Sequence, residues 1–280
     1  MRETMETEKK GILERIGQID QRILYWLLAS LLILPYLVTV GFPLPLSPMT
    51  QEFYNYIDEL EPGSVVLYSS DSGPGGLPEM EGSIVAVSRH LASKDLKVII
   101  IAVWTPAAAL VNDEKISGAF RAVGKEYGVD YVNCGFLPGG EGAVATLAND
   151  FSGLILTDYY GTPMTDLPIM DGIHNAEDFD LIIANGFPDW LYMRQDWVPK
   201  FERTLISMKS AGGATEIMGM YPHQTKAILG GARAGAEYEV LIKQPGVAKK
   251  GIESLTFGVI AFVVFIVLGN VSYVAYERGK

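Results

Sequence analysis

Hydroxyl, carboxylate and glycine residues follow the first apolar strand predicted in the central segment. Residues 70–76 (SDSGPGG) come directly after that strand, residues 65–69, and precede a helix predicted to begin near Glu79. Glycines let backbone amides approach a ligand closely, and the positive end of the helix would point into the same space. The loop is neither a Walker loop nor a G-x-G-x-x-G fingerprint, so a plain strand-to-helix turn is the alternative to a binding loop.

Three further loops at predicted strand ends combine Gly or Pro with polar or aromatic residues: residues 104–106, 135–142 and 185–190. Ligands of open parallel sheets bind outside the carboxyl ends of the strands, so we expect these loops and residues 70–76 to form one cleft. Its carboxylates would favour a cationic or neutral polar ligand over a phosphate-bearing one. The candidate ligand-binding residues are Ser70, Asp71, Ser72, Gly75, Gly76, Glu141, Asp189, Trp190, Tyr221 and His223.

Nucleophiles and potential metal ligands are few and scattered. Cys134 is the only cysteine, and the three histidines, His90, His174 and His223, form no H-x-x-x-H pair. A zinc site would have to recruit carboxylates from distant loops, so we predict no metal site, and we predict no cofactor. We expect Cys134 to be buried and inert at a strand end, and the histidines to occupy surface or capping positions.

Short apolar runs alternate with helical segments from residue 64 onward, which is typical of a mostly parallel sheet flanked by helices. We predict an α/β fold, Rossmann-like or crotonase-like, over residues 49–250, after a proline-rich linker at residues 42–48. Predicted strands cover residues 65–69, 97–103, 131–134, 154–157, 181–184 and 204–208, and predicted helices cover residues 79–93, 117–127, 142–151, 189–201 and 224–241.

Two apolar runs bracket the domain. Residues 23–46 and 252–276 are each close to the roughly 20 apolar residues that cross a hydrocarbon core. We therefore predict two transmembrane helices in a lipid bilayer, the first kinked at Pro35, with an amphipathic arm at residues 1–22 and a short tail at residues 277–280. A pair of buried core helices in a soluble protein is the alternative.

The distribution of charge bears on topology and on partners. Seven Lys or Arg residues near the termini, against three before the second apolar run, favour cytoplasmic termini and an extracytoplasmic domain. The net charge of −11 belongs to the central part, because the arm and the tail are each balanced. An acidic domain repels phosphate backbones, so we expect no nucleic-acid partner. A single cysteine excludes an intramolecular disulfide.

Residues 71–76, the helix after them and the apolar strand at residues 98–103 resemble a segment of a known enzyme class. They look like the oxyanion-loop segment of membrane-bound serine peptidases of the ClpP/crotonase type. In those families the strand leads to a nucleophilic serine, whereas residues 104–109 (WTPAAA) offer only Thr105 as a hydroxyl. The resemblance implies a membrane-bound hydrolase, but a hydroxyl is a poor nucleophile without an adjacent base, and no motif supplies one.

The most distinctive segment is residues 230–239 (GGARAGAEYE). Gly231, Ala232, Gly235 and Ala236 would form a narrow helix face that packs closely on another helix, in the same domain or in a second copy. The segment is similar to the closing motif of uncharacterised membrane-anchored proteins of archaea and bacteria, and the similarity extends to residues 129–133, 139–141, 161–163 and 167–170. This resemblance implies kinship without an activity. We expect a packing role, with self-association through this face or through the membrane helices.

Two functional hypotheses follow. The first is a membrane-anchored, non-enzymatic domain that binds a small ligand or a protein partner at the membrane surface. The second is a membrane-bound hydrolase that uses Ser70, Asp71 or Ser72 with a residue such as His223 or Asp189. The absence of a complete catalytic motif favours the first hypothesis. A hydroxyl or thiol within hydrogen-bond reach of a base would favour the second.

Overall fold

The computed structural model describes residues 19–38 and 40–277. These residues divide into two units, which are Leu44–Lys249 and, separately, residues 19–38, 40–43 and 250–277. Most of the predicted amphipathic arm, residues 1–18, and the end of the predicted tail, residues 278–280, lie outside the described residues.

Six parallel strands form one sheet in the unit Leu44–Lys249, in the order β3-β2-β1-β4-β5-β6. The predicted α/β fold with a parallel sheet flanked by helices is therefore confirmed. This order is that of a doubly wound sheet whose topological switch lies between β1 and β4. The strands are β1 (Val65–Ser70), β2 (Lys97–Ala102), β3 (Tyr131–Phe136), β4 (Leu181–Asn185), β5 (Leu205–Lys209) and β6 (Ile228–Gly230).

The central strands are buried on both faces, as their continuous apolar sequences predict. In β2, Ile99 and Ile101 join one apolar cluster, while Val98 and Ile100 join another. Successive side chains of a strand point to opposite faces of the sheet, so these clusters are two cores, one on each face. Because all six strands run parallel, their carboxyl ends meet at a single edge of the domain.

Helices of the first unit cover both faces of this sheet. The described residues form α-helices in both units. These helices are α1 (Gln21–Leu37), α2 (Pro48–Asp58), α3 (Leu77–Ala92), α4 (Ala108–Val111), α5 (Gly118–Ala122), α6 (Gly140–Asn149), α7 (Phe151–Leu154), α8 (Asp189–Arg194), α9 (Ala211–Ile217), α10 (Gly231–Leu241) and α11 (Val247–Glu277). A π-helical turn, Asn112–Ser117, joins α4 to α5.

Several elements differ from the sequence prediction: the helices predicted at residues 189–201 and 117–127 are shorter, as Asp189–Arg194 and Gly118–Ala122, and two further elements change type or start. The strand predicted at residues 154–157 is absent: Phe151–Leu154 is helical, and Thr157 forms only an isolated bridge with Pro163. The helix predicted at residues 224–241 begins only at Gly231, whose φ of 73° breaks the chain direction after the short strand β6. Gly231 can adopt this left-handed conformation because it lacks a Cβ atom.

The small-residue face of α10 packs inside the domain. A Cβ atom at Gly235 would lie 2.6 Å from the Ser83 hydroxyl and 3.0 Å from the Ser83 nitrogen in α3. Only glycine allows this approach of two helix backbones. The close-packing role expected for the GGARAGAEYE segment is thus observed within one chain, between α10 and α3.

Two buried carboxylates of α10 cap other helices. Glu237 accepts hydrogen bonds from the Ser47 nitrogen at 2.9 Å and from the Thr50 hydroxyl at 2.8 Å, at the start of α2. Glu239 accepts from the nitrogens of Gly246 at 2.7 Å, Ala248 at 3.0 Å and Lys249 at 2.8 Å, at the start of α11. The first N–H groups of a helix have no partner within the helix, and a carboxylate also complements the helix dipole.

The first and last helices are apolar and present much of their surface outward. In α11, Val247–Val274 is 28 residues long, about 42 Å, and contains an 18-residue window with a mean hydropathy of 2.3, which is sufficient to cross a bilayer by length and composition. The helix α1 has only 17 residues, about 26 Å, because it ends at Leu37, well before the predicted end of the apolar run at residue 46. Within the described residues, only α11 meets the length of a membrane span.

Within the second unit, α11 forms hydrogen bonds with α1 and with the residues that follow α1. The Glu253 carboxylate accepts hydrogen bonds from the nitrogens of Gly41 and Phe42, each at 3.1 Å. The Ser254 hydroxyl donates to the Leu32 carbonyl at 2.7 Å. The two apolar segments are therefore joined by polar contacts as well as by packing.

We predict that Glu239→Gln lowers the free energy of unfolding by about 1.5–3 kcal/mol, because the amide cannot accept all three charge-assisted bonds and turns an NH₂ group towards N–H donors. Thermal and denaturant unfolding of the full chain in detergent measures the change. The matched control is Glu216→Gln, at an exposed position in α9. Equal stability of the two variants would contradict the capping role.

Candidate functional site

The topological switch point of the sheet lies between β1 and β4. Strands β1 and β4 lie side by side, and their carboxyl ends lead into Asp71 and Gly186. In doubly wound sheets the crevice at this point usually receives the ligand. Here the protein's own groups occupy it.

Asp71 binds three backbone amides at the end of β2. Its Oδ1 accepts from Trp104 and Thr105, each at 2.7 Å, and its Oδ2 accepts from Val103 at 3.0 Å. Successive N–H groups of this kind form an anion-binding nest, which is filled here by an internal carboxylate. Burial raises the pKa of Asp71, and the three backbone bonds oppose that rise. Asp71 therefore anchors the loop after β2.

Serine and asparagine side chains close the crevice between β1 and β4. Ser72 donates to the Asn185 side-chain oxygen at 3.2 Å, and the Asn185 amide donates to the Ser70 hydroxyl at 3.0 Å. At Gly186, with a φ of 91°, a Cβ atom would lie 3.4 Å from the Asp71 carbonyl carbon. The two loops therefore pack directly on each other. Ser70 and Ser72 bind Asn185, and Asp71 binds the loop after β2.

A cavity of about 340 Å³ lies beside this closed crevice. The loops after β2 and β4, the first turn of α6 and the helix α8 contribute its lining, which comprises Trp104, Glu141, Phe187, Trp190, Leu191 and Arg194. The Trp104 and Phe187 rings lie 4.3 Å apart between centroids, with 51% and 45% of their surfaces exposed. An apolar cavity with two ionisable side chains has the composition of a small-molecule site.

The two charged side chains at this cavity do not pair with each other. Glu141 accepts a hydrogen bond from the Gln195 amide at 2.6 Å. The side chain of Arg194, the last residue of α8, is exposed and makes no hydrogen bond or ion pair within the part of the chain that the structure describes. Its guanidinium therefore has its five N–H donors available.

A buried ion pair supports the loop after β4. Asp189 is fully buried and lies 2.7 Å from the Lys209 ammonium, which also donates to the Gly186 carbonyl at 2.5 Å. Burial raises the pKa of Asp189 to about 6, although Lys209 acts in the opposite direction. Asp189 is thus a support of the cavity wall and has no surface open to a ligand.

The remaining candidate residues lie apart from the cavity. Gly75 and Gly76 are exposed at the start of α3. Tyr221 donates to the Glu52 carboxylate in α2 at 2.8 Å, and it packs with Trp190 on a small apolar cluster. His223 is exposed in the segment between α9 and β6. Of the ten predicted residues, the structure brings only Glu141 and Trp190 to the cavity.

Among the described residues, the hydroxyls and the thiol of the strand-end loops, those of Ser70, Ser72, Thr105 and Cys134, form no hydrogen bond with a base. Cys134 is buried, and burial raises its pKa far above the ordinary value. His90 is also buried, between the Tyr238 hydroxyl at 2.7 Å and Asp58 at 3.3 Å, and burial lowers its pKa. Within residues 19–38 and 40–277, no three His, Cys, Asp or Glu side chains are grouped to bind a metal.

The predicted site residues omitted Trp104, Phe187, Leu191 and Arg194, although Trp104 and Phe187 lie in the predicted loops 104–106 and 185–190. A usable signal was present for Arg194, because it follows Trp190 at i, i+4 and so lies on the same face of α8. Comparison with known proteins adds nothing to the site: no protein-family model, curated protein or solved structure matches this chain.

The raised pKa of Asp189 makes stability depend on pH. The folded-state pKa of about 6 exceeds the unfolded value of 3.8, so the protonated form stabilises the fold below about pH 4, and this contribution is lost as the pH rises through about 6. We expect the free energy of unfolding to fall by up to about 3 kcal/mol relative to Asp189→Asn over this interval. Denaturant unfolding at a series of pH values measures the difference, and parallel profiles for the two proteins would contradict it.

Proposed function

We propose that this protein is a two-pass membrane protein whose α/β domain binds a small ligand at the membrane surface. The cavity between Trp104, Phe187 and Trp190 carries the proposal. Its volume of about 340 Å³ lies within the range of small-molecule sites, and its wall is mainly aromatic and aliphatic with few polar groups. It also lies at the carboxyl edge of the sheet, where α/β domains place their ligands.

The charges at the cavity favour a neutral polar ligand over a cationic one. Asp71 and Asp189 are engaged inside the protein, so Glu141 is the only carboxylate among the lining residues. Arg194 balances it. A phosphate-bearing ligand is disfavoured by the net charge of −11 and by the use of the amide nest for Asp71.

Ligand binding is better supported than hydrolysis. The membrane-bound peptidase hypothesis requires an activated hydroxyl or thiol. Ser70 and Ser72 hydrogen-bond to Asn185, which is not a base, and Cys134 is buried. Hydroxyls do contact a base elsewhere, as Thr50 does with Glu237 and Tyr238 with His90, but these two are buried and lie outside the strand-end loops.

Two membrane helices remain our proposal for the anchor. The side chains of α1 and α11 are largely apolar and exposed, as at Trp26 and Phe262. The hydrogen bonds of Glu253 and Ser254 hold the two segments together, which would let a short first helix enter the bilayer with the second. Self-association would use the membrane helices, because α3 already covers the Gly235 side of α10.

The proposed topology predicts a labelling pattern. In intact cells, cysteines introduced at Thr4 and Gly279 should be shielded from a membrane-impermeant maleimide, and one introduced at Glu59 should react. Cys134 is buried and gives little background, and Cys134→Ser removes it altogether. Reactive termini with a shielded residue 59 would reverse the orientation. Termini on opposite sides would contradict two spans.

The proposed ligand site predicts the effect of removing its aromatic wall. Full-length protein in detergent is screened by thermal shift against amino acids, polyamines, sugars and quaternary ammonium compounds, with ATP as the phosphate-bearing comparison. A ligand that raises the melting temperature of the wild type should bind about tenfold more weakly to Trp104→Ala. Leu110→Ala, which removes an exposed apolar side chain outside the cavity, is the control. Equal weakening in both variants would contradict binding at the cavity.

A further inference from the structure

One carboxylate and one guanidinium line the same apolar cavity without forming an ion pair. Glu141 stands in the first turn of α6, and Arg194 ends α8, so each is carried by a different element. The other four lining residues are Trp104, Phe187, Trp190 and Leu191. The cavity thus has one carboxylate acceptor and one guanidinium donor among its lining residues.

Each charged group can take a ligand atom in addition to its present contacts. Among the described residues, the Glu141 carboxylate accepts a single hydrogen bond, from Gln195, and a carboxylate has about four acceptor positions. The Arg194 guanidinium has no partner in the described part of the chain, and its planar fork matches a carboxylate. A ligand ammonium fits Glu141, and a ligand carboxylate fits Arg194.

From this arrangement we propose that the ligand is a small zwitterion with an apolar body, which is the chemistry of a free hydrophobic α-amino acid. Glu141 and Arg194 are both exposed at the cavity, so a purely cationic ligand would be placed beside Arg194 and a purely anionic one beside Glu141, and like charges repel each other. A zwitterion satisfies both groups and adds no net charge to an acidic domain. The aromatic wall then holds its apolar side chain.

This inference rests on the proposed ligand-binding function, and its test separates the two. Calorimetry on the full chain in detergent compares L-phenylalanine with phenethylamine and 3-phenylpropionate, which lack the carboxylate and the amine respectively. A second set is L-leucine, 3-methylbutylamine and 4-methylpentanoate. We expect one amino acid to bind about tenfold or more tightly than both of its analogues.

The variants assign each charge to its residue. Arg194→Gln should reduce amino-acid affinity to that of the amine, and Glu141→Gln should reduce it to that of the carboxylic acid. Lys226→Gln and Glu216→Gln, which alter charges outside the cavity, should leave affinity unchanged.

Three outcomes would contradict the proposal that the ligand is a free zwitterionic amino acid. If an amine or a carboxylic acid binds as tightly as its amino acid, and Trp104→Ala abolishes that binding, the site stands and the ligand class is wrong. If L-phenylalanylglycine or glycyl-L-phenylalanine binds more tightly than either free amino acid, the occupant is a peptide terminus. If none of these probes binds, the ligand is not a hydrophobic amino acid. The wider thermal-shift screen then tests separately whether the cavity binds any small ligand.

Discussion

The arrangement of the candidate site depends on one carboxylate, Asp71, bonded to three consecutive backbone amides. Each partner requires the other. Without Asp71, the amides of residues 103–105 would lie at the end of a buried strand with no acceptor, and without the amides a buried carboxylate would lack the donors that offset its desolvation. The same bonds fix Trp104, and Gly186 packs against the Asp71 backbone. The hydrogen bonds of Asp71 therefore both close the switch point and position Trp104 in the aromatic wall of the cavity.

The distinctive segment of α10 also depends on buried carboxylates that accept hydrogen bonds from N–H groups. Glu237, Tyr238 and Glu239 are consecutive, so a helix directs them about 100° apart, and they reach the start of α2, His90 in α3 and the start of α11. Burying two carboxylates is costly unless N–H donors surround them, and helix N-termini supply such donors. Hydrogen bonds from Ser47, Thr50 and Arg233 lower the pKa of Glu237 against the opposing effect of burial. The motif is accounted for by helix capping, without catalysis.

The strands that were predicted correctly are those whose identity depends on local sequence. Strands β1, β2, β3, β4 and β5 are apolar runs bounded by turn residues, and each was predicted to within a few residues. The run at residues 154–157 has the same appearance. However, Leu154 ends the helix α7 and Thr157 forms an isolated bridge with Pro163, so the run adds no strand to the sheet. Strand β6 is only three residues long, and its pairing with β5 is a tertiary contact that no local pattern reveals. The predicted linker ends at Pro48, which is the first residue of α2, where proline is compatible with a helix; no element was predicted for residues 49–58.

The candidate site was less predictable, because composition counts charges without showing which of them face a ligand. The loops predicted to meet at the carboxyl edge do include cavity residues, yet the expected acidic cleft rested on Asp71, Glu141 and Asp189 together. Asp71 is enclosed by amides and Asp189 by Lys209, and both pairings join residues far apart in sequence. That leaves Glu141, opposed by Arg194. A chain with 33 acidic and 22 basic residues thus presents a cavity lined by one charge of each sign, and the ligand's charge must be inferred from this geometry and not from the excess of acid.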